Sequence, residues 1–108
     1  MEKDEISELI SGILNALGDS VVSIILYGSV AKGTNELDSD VDIAVILSDK
    51  LGKVEYDALT DFIVDLDLKY DRFYSVVDIK ESDFLSWKEY IPFYKNVSSE
   101  GVVLWKAA

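Results

Sequence analysis

Residues 27–46 read YGSVAKGTNELDSDVDIAVI. A Gly-Ser pair, Gly28 and Ser29, closes one apolar run, and two aspartates, Asp40 and Asp42, stand one residue apart where the next begins. On a strand, residues at i and i+2 project from the same side. Two carboxylates so placed repel, and the pKa of each rises unless a cation lies between them. A divalent metal removes that conflict. Mg²⁺ suits it best, because it takes oxygen ligands and keeps coordination positions for substrate phosphates. Val41, Ile43 and Val45 alternate to the opposite side and can anchor the strand in a core.

The upstream half of the stretch complements the carboxylates. Gly28 lets the backbone approach a ligand with no Cβ in the way. Ser29 offers a hydroxyl where a helical turn would begin, and the amides of such a start favour phosphate. Gly33 adds a second point of backbone freedom, and Lys32 a positive charge that is equally at home in solvent. Asp38 is expected to cap the loop and Ser39 to make a local turn bond ahead of the strand.

Composition narrows the chemistry. With 108 residues the chain is one domain, and a hydrophobic share of 49% is enough for a core. There is no cysteine and no histidine, so disulfides, thiolate metal sites and the commonest general base are all absent. Acid–base or metal chemistry must rest on carboxylates. The N-terminus lacks the pattern of a signal peptide and no apolar run is long enough to span a bilayer, so the expected location is the cytoplasm. A net charge of −11 disfavours nucleic-acid backbones as partners. A nucleotide would have to arrive with a divalent cation or meet a local basic patch or a partner.

Apolar spacing predicts a helix over 3–17, strands over 21–28, 41–47, 73–79 and 102–105, and a helix over 53–69 with Leu59, Phe62, Ile63 and Leu66 on one side. Ser82 is expected to cap a helix over 83–90, and Pro92 to open a further helical turn. Asp61, Asp65 and Asp67 read as the wet face of the second long helix, and Tyr90, Phe93, Tyr94 and Trp105 as core or interface. Trp87 is a candidate for an exposed apolar patch, which would hint at a partner. The α/β order, with a 29–39 connection too short for a crossover helix, predicts a small mixed sheet with helices mainly on one face.

Gly28-Ser29-Val30-Ala31-Lys32-Gly33 followed by Ser39-Asp40-Val41-Asp42-Ile43 resembles the nucleotidyltransferase superfamily that includes DNA polymerase β and kanamycin nucleotidyltransferase. The small size and the ending PFYKNVSSEGVVLW are similar to the stand-alone minimal nucleotidyltransferases of prokaryotes, the MntA-type antitoxins encoded beside an all-helical HEPN partner. The resemblance implies that Gly28, Ser29, Lys32, Gly33 and Ser39 meet the nucleotide, and that Asp40 and Asp42 bind two Mg²⁺ ions. It also implies that ATP donates AMP to a hydroxyl, with a tyrosine of the HEPN-type protein as acceptor. A third carboxylate from a neighbouring strand would complete the site. Asp78 in SVVDI is one candidate; in the other register the equivalent position is Ser75, leaving two carboxylates and a module that could act on its partner by contact alone. The acceptor, the base preference and whether the chain forms a homo-oligomer stay open.

Overall fold

A strand that is apolar along nearly its whole length needs cover on both faces. Strand β2 (Val41–Leu47) is of this kind: Val41, Ile43 and Val45 are fully buried on one side, Ala44 and Ile46 on the other. The computed structural model describes residues 1–33 and 40–108. Among these residues, β1 (Val21–Tyr27), β2, β3 (Tyr74–Lys80) and β4 (Val102–Lys106) form one mixed sheet in the order β3-β2-β1-β4. β1 runs antiparallel to both its neighbours, whereas β2 and β3 are parallel. The parallel pair requires a crossover, and α3 (Lys53–Tyr70) supplies it.

The two long helices, α1 (Lys3–Leu17) and α3, share one face of the sheet, as the apolar spacing predicts. Leu9, Ile13 and Leu17 of α1 and Leu59 and Leu66 of α3 are buried there against Val41, Ile43, Val45 and Leu47. Gly12 makes the close helix contact: a Cβ at that position would lie 2.0 Å from the Phe62 ring. Truncating Leu9 or Ile13 to Ala should cost about 2–5 kcal/mol, a large share of a small domain's stability. The opposite face carries a thinner layer, α4 (Glu81–Trp87) and α5 (Pro92–Glu100), packed through Phe84 and Val97 onto Ile25, Ala44, Ile46 and Ile79.

A polar network ties the start of β3 to both long helices. Glu5 is buried, accepts a hydrogen bond from the Tyr74 hydroxyl and lies 3.7 Å from the Arg72 guanidinium. Burial and the Glu5 carboxylate together hold the Tyr74 hydroxyl protonated far into the alkaline range. Glu8 accepts from Lys69 Nζ at 2.8 Å and from the Tyr70 hydroxyl at 2.5 Å. Asp67 departs from a purely wet role, since its Oδ1 accepts the Tyr74 N–H at 2.9 Å, while Asp61 and Asp65 are exposed as expected. Ser82 is a correction: α4 begins at Glu81 with Lys80 as its cap residue and no side-chain cap bond, so Ser82 lies within the first turn.

Candidate active site

β1 ends at Tyr27, and the chain turns at once into the five-residue helix α2 (Gly28–Lys32). Gly28 makes the turn possible in two ways. Its φ is +77°, a conformation that a side chain disfavours. A Cβ there would also lie 2.4 Å from Asp42 Oδ2, so the bare Cα of Gly28 faces the carboxylate directly. Ser29 is the second residue of α2, in the first turn, where amides have no partner within the helix. Gly33 ends the helix in the left-handed conformation, φ +72°, with its N–H on the Val30 carbonyl at 3.2 Å. Its place is thus the helix stop.

Asp42 pairs across the sheet with Tyr27 and with Ser75. It is half-buried, and its pKa is raised first by that burial and then by the charge of Asp40, which precedes β2 and is exposed. The Tyr27 hydroxyl is raised likewise, by burial and then by Asp42. Burial is the larger cause of both shifts, and a neighbouring carboxylate adds to each. Ser39 lies outside the described residues, as does Asp38.

Asp78 does not join them. The parallel register sets Asp42 beside Ser75 and Val45 beside Asp78. Asp78 therefore projects on the α1/α3 face, exposed, near Gly52, Lys53 and Tyr56. Of the two registers open in the sequence, the one that aligns Ser75 with the carboxylate position is realised, and the assignment of Asp78 to the site is corrected. The cause is the odd spacing: three residues separate Ser75 from Asp78, which reverses the side. Among the described residues no group of three carboxylates could hold a metal.

Lys32 forms an ion pair with Glu100 of α5 at 2.9 Å, both about half-exposed. The two border a cleft of about 250 Å³ that also takes in Tyr27, Gly28, Phe93 and Asn96. The rings of Tyr27 and Phe93 lie 5.4 Å apart and tilted by 44°. The cleft thus has an aromatic wall and opens beside the Gly28 turn. Its α5 residues are a surprise. The helical spacing of Phe93, Asn96 and Glu100 after Pro92 was the available signal, but spacing alone does not say which strand end the helix meets. A larger groove between α1 and α3, about 420 Å³, lies on the other face, far from the carboxylates in the fold.

The model of the family described as polymerase beta, nucleotidyltransferase, matches residues 8–108. A Methanocaldococcus jannaschii protein, whose name makes it a candidate protein adenylyltransferase, is 29% identical over 104 residues, 96% of this chain and 98% of its own. Among solved structures, a toxin–antitoxin complex with AMP-PNP superposes with a TM-score of 0.64 at 24% identity, over 94% of this chain and 73% of that one. A tri-AMPylated Shewanella oneidensis HEPN toxin in complex with an MNT antitoxin gives 0.61 at 21% identity, over 99% and 74%. At those identities the structural likeness speaks for the fold. The family match covers the Gly28–Asp42 corner together with every strand of the sheet, and on that ground the chain belongs to the polymerase β nucleotidyltransferase family and is a nucleotidyltransferase.

Proposed function

We propose that this protein transfers AMP from ATP to a tyrosine hydroxyl on a basic, HEPN-type helical partner, with Mg²⁺ and in the cytoplasm. The observation that carries the reading is the contact of Gly28 with Asp42, which sets a bare backbone turn against a carboxylate already crowded by Asp40. Asp40 and Asp42 fit Mg²⁺: two carboxylates two residues apart offer oxygen donors that suit a hard cation whose remaining positions go to phosphate. When bound, the cation neutralises charge on the triphosphate and the departing pyrophosphate. Ser29 and the Gly28 backbone would hold the β- and γ-phosphates, and the cleft walled by Tyr27 and Phe93 the nucleoside.

In the transfer, the acceptor oxygen forms a bond to the α-phosphorus and the bond from that phosphorus to the β-phosphate oxygen breaks. Pyrophosphate leaves and the hydroxyl proton passes to water. With Ser75 beside Asp42, no third carboxylate among the described residues stands ready to take that proton. This favours a phenol as acceptor, which ionises near pH 10, over an aliphatic alcohol, which needs a base far more. The charge of −11 favours a basic protein over a nucleic acid as the acceptor's bearer. The structural relatives in toxin–antitoxin complexes, one with an AMPylated HEPN toxin, support the same assignment.

Ser75 also favours a second reading, a contact antitoxin whose catalysis has weakened. Incubating this protein and a HEPN-type partner with ATP and Mg²⁺, then weighing the partner intact, separates the two. An AMP increment that vanishes with Asp40→Asn supports transfer. A stable complex of unchanged mass supports contact alone.

A further inference from the structure

β3 stands at one end of the sheet and, among the described residues, pairs on one side only. The Phe73 carbonyl accepts the Val41 N–H at 2.9 Å, so the backbone groups of odd-numbered residues face β2 and those of even-numbered residues face outward. The first outward N–H, that of Tyr74, is already taken by Asp67. Within the described residues, nothing caps the N–H of Val76 or of Asp78. Such an open edge is ordinarily blunted by lysine, proline or a bulge. Here the one lysine is Lys80, at the far end, and the β2–β3 register runs without a shift.

The edge is also flanked by an apolar groove. Between α3 and β3 lies a hollow of about 350 Å³ whose wall includes Tyr56, Ile63, Val64 and Phe73. Three of these are unusually exposed for their type: Phe73 at 60%, Tyr56 at 56% and Val64 at 51%. Asp67 and Asp78 also line the hollow, and Asp61, Asp65 and Asp71 are exposed on the same helix and the turn that follows it.

We propose that the outer edge of β3 docks an extended, basic polypeptide segment that adds to the sheet as a strand and carries the acceptor hydroxyl. The last step, delivery of the hydroxyl, rests on the transfer reading above; the docking does not. Main-chain pairing with Val76 and Asp78 supplies affinity, and the groove takes alternate apolar side chains. Charge selects the occupant. A second copy of this chain would bring another acidic edge and another net charge of −11, whereas lysines on an incoming segment would meet Asp67 and Asp78. The register ties the edge to the chemistry. Ser75 lies beside Asp42, so an added strand would run two strand spacings, about 10 Å, from β2. A tyrosine laid across the short Ser75 side chain spans most of that gap, and a serine does not.

The test uses the intact protein and a synthetic peptide that alternates lysine and valine around one tyrosine. Amide hydrogen exchange should slow by about tenfold or more at Val76 and Asp78 when the peptide is added, with or without ATP. Methylating every second peptide amide should abolish that protection in one phase and leave it in the other. With ATP and Mg²⁺, Phe73→Ser combined with Val64→Ser should raise the peptide KM about tenfold and leave kcat unchanged. Protection at β3 with no AMP on the peptide would overturn the transfer reading and keep the dock. Peptide binding without β3 protection, tolerance of both methylated phases, no binding at all, or pairing of two copies through this edge would each overturn the dock.

Discussion

Asp42 and Asp78 are each one strand-borne aspartate in a valine- and isoleucine-rich run, yet they end on opposite faces of the sheet. Asp42 faces Tyr27, Gly28 and Ser75 and is half-buried, with its pKa raised by burial and by Asp40. Asp78 faces the α3 side, exposed, three residues past the position that adjoins Asp42. Residue type and local pattern are nearly the same. What differs is the lateral neighbour, and it is the lateral neighbour that turns a carboxylate into a candidate ligand.

Substituting the two residues in parallel should give the largest contrast. Asp42→Asn is expected to lower AMP transfer by about a thousandfold or more, because it removes half of the proposed cation grip. At saturating acceptor, Asp78→Asn should leave the rate within about twofold, in keeping with an exposed residue away from the reacting atoms. Initial rates for the two purified variants, at saturating Mg²⁺ and ATP, check this. Equal losses would dissolve the distinction.

Ser75→Asp sharpens the comparison from the other side by putting a carboxylate where the register wants one. Transfer should rise by about ten- to a hundredfold, at the low end of what a general base contributes. The gain should be largest for an aliphatic hydroxyl acceptor, which depends most on such a base. A variant that binds Mg-ATP normally but transfers no faster would mean that the third carboxylate is not what limits the site.

Gly28→Ala tests the contact that defines the site. At φ +77° and 2.4 Å from Asp42 Oδ2, the added methyl must displace the carboxylate or the turn. We expect about 1–2 kcal/mol of lost stability from the backbone conformation, read by denaturant unfolding. Nucleotide affinity should fall by about tenfold, read by calorimetry, because a displacement of about 1.4 kcal/mol corresponds to that factor. Gly33→Ala, also at positive φ but with nothing within 4 Å, should cost similar stability and leave affinity nearly unchanged.

The smallest effect is a pH dependence. Because the Asp42 pKa is raised in the folded protein, its contribution to stability is fully present below the unfolded value, near 3.8, and is lost as the pH rises through the folded value. Without divalent cation, Asp42→Asn should therefore stabilise the protein at neutral pH, by less than about 1 kcal/mol after solvent screening. Thermal melts in chelator at acid and neutral pH should show the gain only at neutral pH, and Mg²⁺ should reverse its sign by favouring the wild type.

Most of the elements were legible from periodicity. The helix over 3–17 coincides with α1, because Leu9, Ile13 and Leu17 repeat on one side of it, and β2 announces itself as a run that is apolar but for Asp42. The Gly28–Asp42 corner was legible too, since a glycine-serine turn and two aspartates in alternation constrain each other within fifteen residues. Less visible were the start of α4, which lies at Glu81, one residue before Ser82, and the role of Asp67, whose partner Tyr74 is seven residues away across a turn.

By itself, then, the sequence determined the kind of chemistry: no histidine or cysteine, a glycine-serine pair at the end of an apolar run, and two alternating carboxylates at the start of the next. Those follow from residue type and from spacings shorter than one strand. Which carboxylates meet was decided only by the tertiary structure. The pairing of β2 with β3 sets Ser75, not Asp78, beside Asp42. A one-residue change in that register would exchange the two faces. The same holds for the cleft wall from α5 and for the place of β3 at the end of the strand order, because strand order and helix placement arise from packing between segments far apart in the chain.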